Sequence, residues 1–147
     1  MRDQLVGQEL IDSMKKHGAW QMAATLAREE STFVYAKPAP FLTDPFFTRS
    51  VSAAVLATLN DPEYQNKIAA YPDFPKFHGL LEMAQRNLKR LADAGIPYGF
   101  GTDSGVPTRF PGFFEHGELE LMVEAGLTPT QVPTAATKSG AGNKVAP

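Results

Sequence analysis

The sequence predicts an α/β fold, and three observations carry that expectation. A short apolar run, Ile96 to Tyr98, leads directly into Gly99-Phe100-Gly101-Thr102-Asp103-Ser104-Gly105. That pattern sets one carboxylate, ringed by small residues, at the carboxyl end of a buried strand, where α/β folds concentrate their chemistry. Strand and helix candidates also alternate along the chain, which implies parallel pairing and right-handed crossovers. Finally, 43% of the 147 residues are hydrophobic and 20% are charged. This is enough apolar material for one domain with a core, and too balanced for a disordered chain. Two strands are well marked, too few for a complete parallel sheet buried on both faces.

The elements follow in order. Val6, Leu10, Ile11 and Met14 recur at helical spacing, and Gly18 supplies a stop, so a helix is expected over residues 7–17. Ala19 to Ala24 is short and apolar and reads as a strand. A helix over 22–28, rich in Ala and Leu, competes with it. Pro38, Pro40 and Pro45 make residues 37–48 a loop, because each lacks an N–H and restricts its predecessor. Val51, Val55, Leu56 and Leu59 mark a short helix, and Pro62 opens another that runs to about Ala70. Tyr71-Pro72-Asp73-Phe74-Pro75 breaks the chain again. Residues 37–76 therefore read as an insertion with short helices.

The strongest helical stripe comes next. Phe77, Leu80, Leu81, Ala84, Leu88 and Leu91 share one face, with Gln85, Arg86, Lys89, Arg90 and Asp93 opposite and Gly95 as the stop. Ile96 to Phe100 is the strand before the acidic loop, with Pro97 tolerated at its start. Residues 106–114 form a loop. A helix over 115–125 buries Leu119, Met122 and Val123 and stops at Gly126. Thr128, Pro129 and Gln131 read as N-cap, first helical residue and capping-box partner of a last helix, which Pro133 should weaken or kink. From Ser139 the tail turns to Gly, Lys, Ala and Pro and is expected to fray.

Composition narrows the function classes. The net charge of −2 comes with no basic stripe, which argues against nucleic acid as a partner. No apolar stretch is long enough for a membrane span, and Met1-Arg2-Asp3-Gln4 is a polar start rather than a signal peptide. There is no cysteine, so disulfides, thiolate zinc sites and cysteine nucleophiles are excluded, and a cytoplasmic location is favoured. With three histidines (His17, His78 and His116), an all-histidine metal site would need every one.

Gly101-Thr102-Asp103-Ser104-Gly105, then Glu115-His116-Gly117-Glu118-Leu119-Glu120-Leu121-Met122-Val123-Glu124-Ala125-Gly126-Leu127-Thr128-Pro129, then Ala135-Ala136-Thr137, resembles the amidohydrolase superfamily. The likeness is nearest to the imidazolonepropionase-like and Xaa-Pro-dipeptidase-like branch and extends from Arg2 to Thr137. It implies a partial (β/α)8 TIM barrel covering helix 6 to helix 8, with the helical insertion after strand 7. Residues 7–17 would be the sixth helix, Ala19 to Ala24 the seventh strand and Ile96 to Phe100 the last strand. Asp103 would be the metal-binding aspartate that also takes a proton from metal-bound water. The family's other ligands, a His-x-His pair, a carboxylated lysine and two further histidines, have no counterpart in residues 1–147. A full barrel needs roughly 250 residues, so the resemblance implies a fragment.

The candidate residues each carry a plain alternative. Asp103 is the expected metal ligand and general base, or a turn aspartate that caps local N–H groups. Ser104, Arg109 and His116 are the expected substrate-binding residues. Arg109 would hold a substrate carboxylate, against a solvated loop arginine, and His116 is otherwise a surface histidine at a helix start. Ser104 lacks both a Gly-x-Ser-x-Gly frame and a paired histidine, so it is no nucleophile. The glycines at 99, 101 and 105 fit neither a dinucleotide nor a P-loop signature. His17 suits a helix C-terminus, and His78 a surface helix start.

Two functions follow. One is metal-dependent hydrolysis of amide or other C–N bonds in small peptides or N-acyl amino acids, with a divalent metal, zinc by the resemblance, incompletely held. The other is a non-catalytic partial-barrel module that works or is stable only through self-association or a complementing chain.

Overall fold

The computed structural model describes residues 3–22, 26–105 and 108–139. Its elements are α1 (Gln8–His17), β1 (Gln21–Met22), α2 (Leu26–Ser31), α3 (Pro45–Thr48), α4 (Ala53–Leu59), α5 (Pro62–Ala69), α6 (Phe74–Asp93), β2 (Tyr98–Gly99), α7 (Phe113–Glu124) and α8 (Gln131–Thr134). Two 3₁₀ turns, Val34–Ala36 and Pro40–Thr43, lie between α2 and α3, and a π-helical turn, Ala135–Ser139, follows α8.

This is a mostly helical protein, and the expected partial (β/α)8 barrel is wrong. The two strands have two residues each and pair in parallel, Gln21 with Tyr98 and Met22 with Gly99. A barrel needs a closed ring of such strands, whereas among the described residues the pairing ends at these two. The reasons are local. Pro97 donates no ladder bond and only accepts one, from Gln21 N–H at 2.9 Å. Gly99 and Gly101 weaken any extension of β2, and the helix-forming run Leu26-Ala27-Arg28 opens α2. Ala23 and Ala24 of the expected seventh strand lie outside the described residues, as do Val106 and Pro107 of the expected loop and the tail beyond Ser139.

Helix ends obey the sequence closely. Helices α1, α6 and α7 all close with the same motif. The residue after the terminal glycine donates back five residues (Ala19 to Met14, Ile96 to Leu91, Leu127 to Met122), and the glycine donates back three. Each glycine has positive φ, at 62°, 76° and 97°, a region costly for any residue with a Cβ. Both hydrophobic partners of the last two closures are buried, Ile96 on Leu91 and Leu127 on Met122. At the other ends, Asp44, Ser52 and Asp61 accept from Phe46, Val55 and Glu63 N–H and cap α3, α4 and α5. Thr128 and Gln131 make the reciprocal capping bonds read from their spacing. The α-helix they introduce ends at Thr134, just after Pro133, and gives way to the π turn.

The main core gathers Leu26 and Ala27 of α2, Tyr35, Leu42, Phe47, Leu59, Leu88, and Phe114 with Met122 of α7. The segment 37–76 is therefore built into the core through Leu42, Phe47 and Leu59. Its aromatic rings interlock: Phe47 meets Phe41, Phe110 and Phe113 edge-on, with centroids 5.0–5.2 Å apart. A smaller cluster, Val6, Ile11, Met14, Leu91 and Ile96, seats α1 on the end of α6. Polar ties join distant segments. Asn87 on α6 accepts from Val6 N–H at 2.8 Å and donates to the Gln4 carbonyl at 2.9 Å. Glu118 on α7 is fully buried and accepts the Ala27 N–H, in the first turn of α2, at 2.6 Å.

Candidate functional site

The loop after β2 carries the first cluster of functional groups. Asp103 sits in the left-handed region, φ 54°, which Asp tolerates better than most residues. Gly105 N–H donates to the Arg109 carbonyl at 3.1 Å and closes the loop on itself. Tyr35, from the core, donates its hydroxyl to the Thr108 carbonyl at 2.8 Å and fixes the loop's far side. Burial, followed by the nearby Tyr64 and Glu30, pushes the Tyr35 phenol far above its ordinary range, so it stays a neutral donor.

That closure brings Arg109 to Asp103. The guanidinium Nη1 lies 3.3 Å from Asp103 Oδ2, and Arg28, from α2, reaches the same oxygen at 4.0 Å. Arg109 is largely buried, at 12% exposure, whereas Asp103 and Arg28 are open to solvent. Among the described residues the buried Arg109 Nε has no acceptor, so the guanidinium holds donor capacity that the aspartate does not use. Two cations and one anion leave the cluster with a surplus positive charge.

A second network lies beside it. Thr102, buried, donates to Glu115 Oε1 at 2.6 Å, and its hydroxyl lies 2.7 Å from that of Ser104. Glu115 Oε2 also accepts the Gly112 N–H, the back-bond of a glutamate at the third helical position. Burial would raise the Glu115 carboxyl, but the bonds from Thr102, Ser104 and Gly112 outweigh it and hold the group below its ordinary value.

Of the expected site residues, Asp103 and Arg109 are therefore in contact, and Ser104 is bound into the Thr102–Glu115 network. His116 joins a different cluster, its ring edge-on to Phe46 with centroids 5.2 Å apart. His78 packs against Phe33, the two rings tilted by 36° with centroids 3.9 Å apart. Sequence reading missed Arg28 and Glu115. Nothing near Arg28 in sequence announces a partner 75 positions away, at Asp103. Glu115 did leave a signal, a glutamate three residues past the loop glycine Gly112.

No family model, curated protein or solved structure matches this chain. The donor set does not fit a catalytic zinc either. Such a centre needs three protein ligands around one point, and among the described residues no three His, Asp or Glu side chains converge in that way. The one expected ligand, Asp103, instead faces two guanidinium groups, whose charge repels a metal cation at the same oxygen. Among the described residues, no helix is long and apolar enough to cross a membrane.

Proposed function

We propose that this chain is a non-catalytic binding module of hydrolase lineage that takes the carboxylate of a small peptide or N-acyl amino acid between Arg28 and Arg109. One observation carries the reading: a single Asp103 oxygen is shared by two guanidinium groups, one of them nearly buried. Guanidinium is the side chain suited to planar, two-pronged carboxylate recognition. Asp103 acts here as an internal stand-in for the ligand, keeping the two arginines together until a carboxylate displaces it.

The test is a titration with N-acetylglycine and with its neutral methylamide, followed by NMR of the backbone amides around residues 100–115. The acid binds and the amide does not. Arg109→Gln weakens binding about tenfold, the scale of one charge-assisted hydrogen bond. Asp103→Asn tightens it, because the internal competitor is gone. Equal binding of acid and amide, or weaker binding in Asp103→Asn, overturns the reading.

The second reading is metal-dependent amide hydrolysis, with the missing donors supplied by another polypeptide or a second copy. The place of Asp103, just past the carboxyl end of a parallel strand pair, favours it. This reading requires stoichiometric zinc in freshly purified protein, a native mass above that of the single chain, and loss of hydrolysis in Asp103→Asn.

A further inference from the structure

A cavity of about 580 Å³ opens on the face of α7 that carries His116, Gly117 and Glu120. Its wall is built from two chemistries. Phe41, Phe46 and Phe113 supply aromatic rings, and Glu30, Asp44 and Glu120 supply carboxylates, with no lysine or arginine among the lining residues. The rings are held in place by one another: Phe41 and Phe113 lie 4.8 Å apart between centroids, Phe46 and Phe113 6.2 Å. The volume falls within the range of small-molecule sites.

We propose that this cavity binds a small organic cation bearing an alkylammonium group. Ring faces attract a cation through their quadrupole, and the attraction grows as the cation loses water. The carboxylates add direct charge, and the apolar ring surface accommodates the alkyl groups that a hydrated metal ion lacks. Phe46 already takes a cation in this way, with the Arg49 guanidinium carbon 5.4 Å from its centroid. Glu30 registers the crowding of negative charge: burial first, then Glu124 and Glu120, raise its carboxyl above the ordinary range. A bound cation relieves that repulsion. Gly117 leaves the wall open, since a Cβ built there meets no atom within 4 Å. The site shares no residue with the Asp103 cluster, so the two proposals stand or fall separately.

The experiment compares choline with its uncharged carbon isostere, 3,3-dimethylbutan-1-ol, by calorimetry and by ligand-observed NMR on the full chain. Choline binds saturably at one site, its methyl protons shift upfield from the ring currents, and the isostere binds at least tenfold more weakly. Phe46→Leu weakens choline about three- to tenfold, the scale of one cation–π contact. Glu120→Gln weakens it about fivefold, the scale of one carboxylate near the cation in water. Gly117→Leu, which projects into open space, blocks binding while the thermal unfolding midpoint stays close to that of the parent. Phe46 and Glu120 lie on the exposed rim of the cavity, so their variants keep the fold. Equal binding of choline and the isostere, no saturation in the millimolar range, or unaltered binding in Phe46→Leu and Gly117→Leu overturns the proposal.

Discussion

Replacing Glu118 tests how α7 is joined to α2. The carboxylate is fully buried on α7 and accepts the Ala27 N–H at 2.6 Å, one of the first-turn donors that α2 cannot satisfy internally. Glu118→Gln keeps an oxygen at that place, and so an acceptor for the Ala27 N–H. With the acceptor retained, the loss stays within the worth of one hydrogen bond, about 0.5–1.5 kcal/mol. Glu118→Ala removes the acceptor. It strands the Ala27 N–H at about 1–3 kcal/mol and leaves a void where the side chain packed. The total is about 3–5 kcal/mol, within the range of large core truncations. For a chain of this size each 1 kcal/mol lowers the thermal midpoint by about 2–4 °C. Urea unfolding followed by circular dichroism reads both variants, with the midpoint falling in the order parent, Gln, Ala at an unchanged slope. A Glu118→Leu protein at least as stable as the parent would refute the reasoning. It would mean that the cost of burying the carboxylate exceeds what its bond to α2 returns.

Three further outcomes are expected. Asn87→Ala cuts both bonds to the segment at Gln4 and Val6 and costs about 2–3 kcal/mol. Hydrogen exchange should rise at Val6 and along α1 before it rises in the main core. Glu30 carries a raised carboxyl, so the folded state binds its proton more tightly than the unfolded chain does. Its contribution is fully present below the ordinary carboxylate range and is lost as pH rises through the folded value. Glu30→Gln should therefore match the parent at acid pH and become relatively more stable towards neutrality in paired thermal melts. Glu115 behaves in the opposite sense: its lowered carboxyl supports folding above the ordinary carboxylate range, and that support fades as pH falls through the depressed value. Thr102→Val removes the 2.6 Å bond, and an NMR titration of the Glu115 side chain should move upward. An unshifted titration would show that the Thr102 hydroxyl does not hold it down.

The binding reading places the chain's chemistry in charge recognition. Arg109, nearly buried and tied to Asp103, keeps surplus donor capacity beside the loop that Tyr35 anchors from the core. On another face, carboxylates and phenylalanine rings share one cavity with no lysine or arginine in its lining, while Arg49 lies over the Phe46 ring. The surplus charges of the two places have opposite sign, so a substrate with both an acid and an amine end would engage them by different rules.

Much of the helical skeleton was legible in the residues alone. Gly18, Gly95 and Gly126 stop helices because a left-handed residue there lets two backbone donors turn back, a requirement met within six residues of chain. The stripe from Phe77 to Leu91 made α6 plain for the same local reason, although the helix starts earlier, at Phe74, with Pro75 in its first turn, where a missing N–H costs nothing. Thr128 and Gln131 announced their own reciprocal bonds.

The strands were another matter. Ala19 to Ala24 and Ile96 to Phe100 are apolar enough to be buried, but burial alone does not say what they pair with, and among the described residues only two of each found a partner. A barrel expected from a likeness in the loops had no local interaction to enforce it. Asp103 stood out as a chemically interesting acid, yet its state depends on Arg28, which arrives from a different helix. The cavity beside His116 likewise joins residues from Glu30 to Glu120. The sequence by itself determined the caps, stops and apolar faces, because these are settled between near neighbours. Only the tertiary structure decided which charges meet, because Coulomb energy depends on distance in space and the chain records only distance along itself.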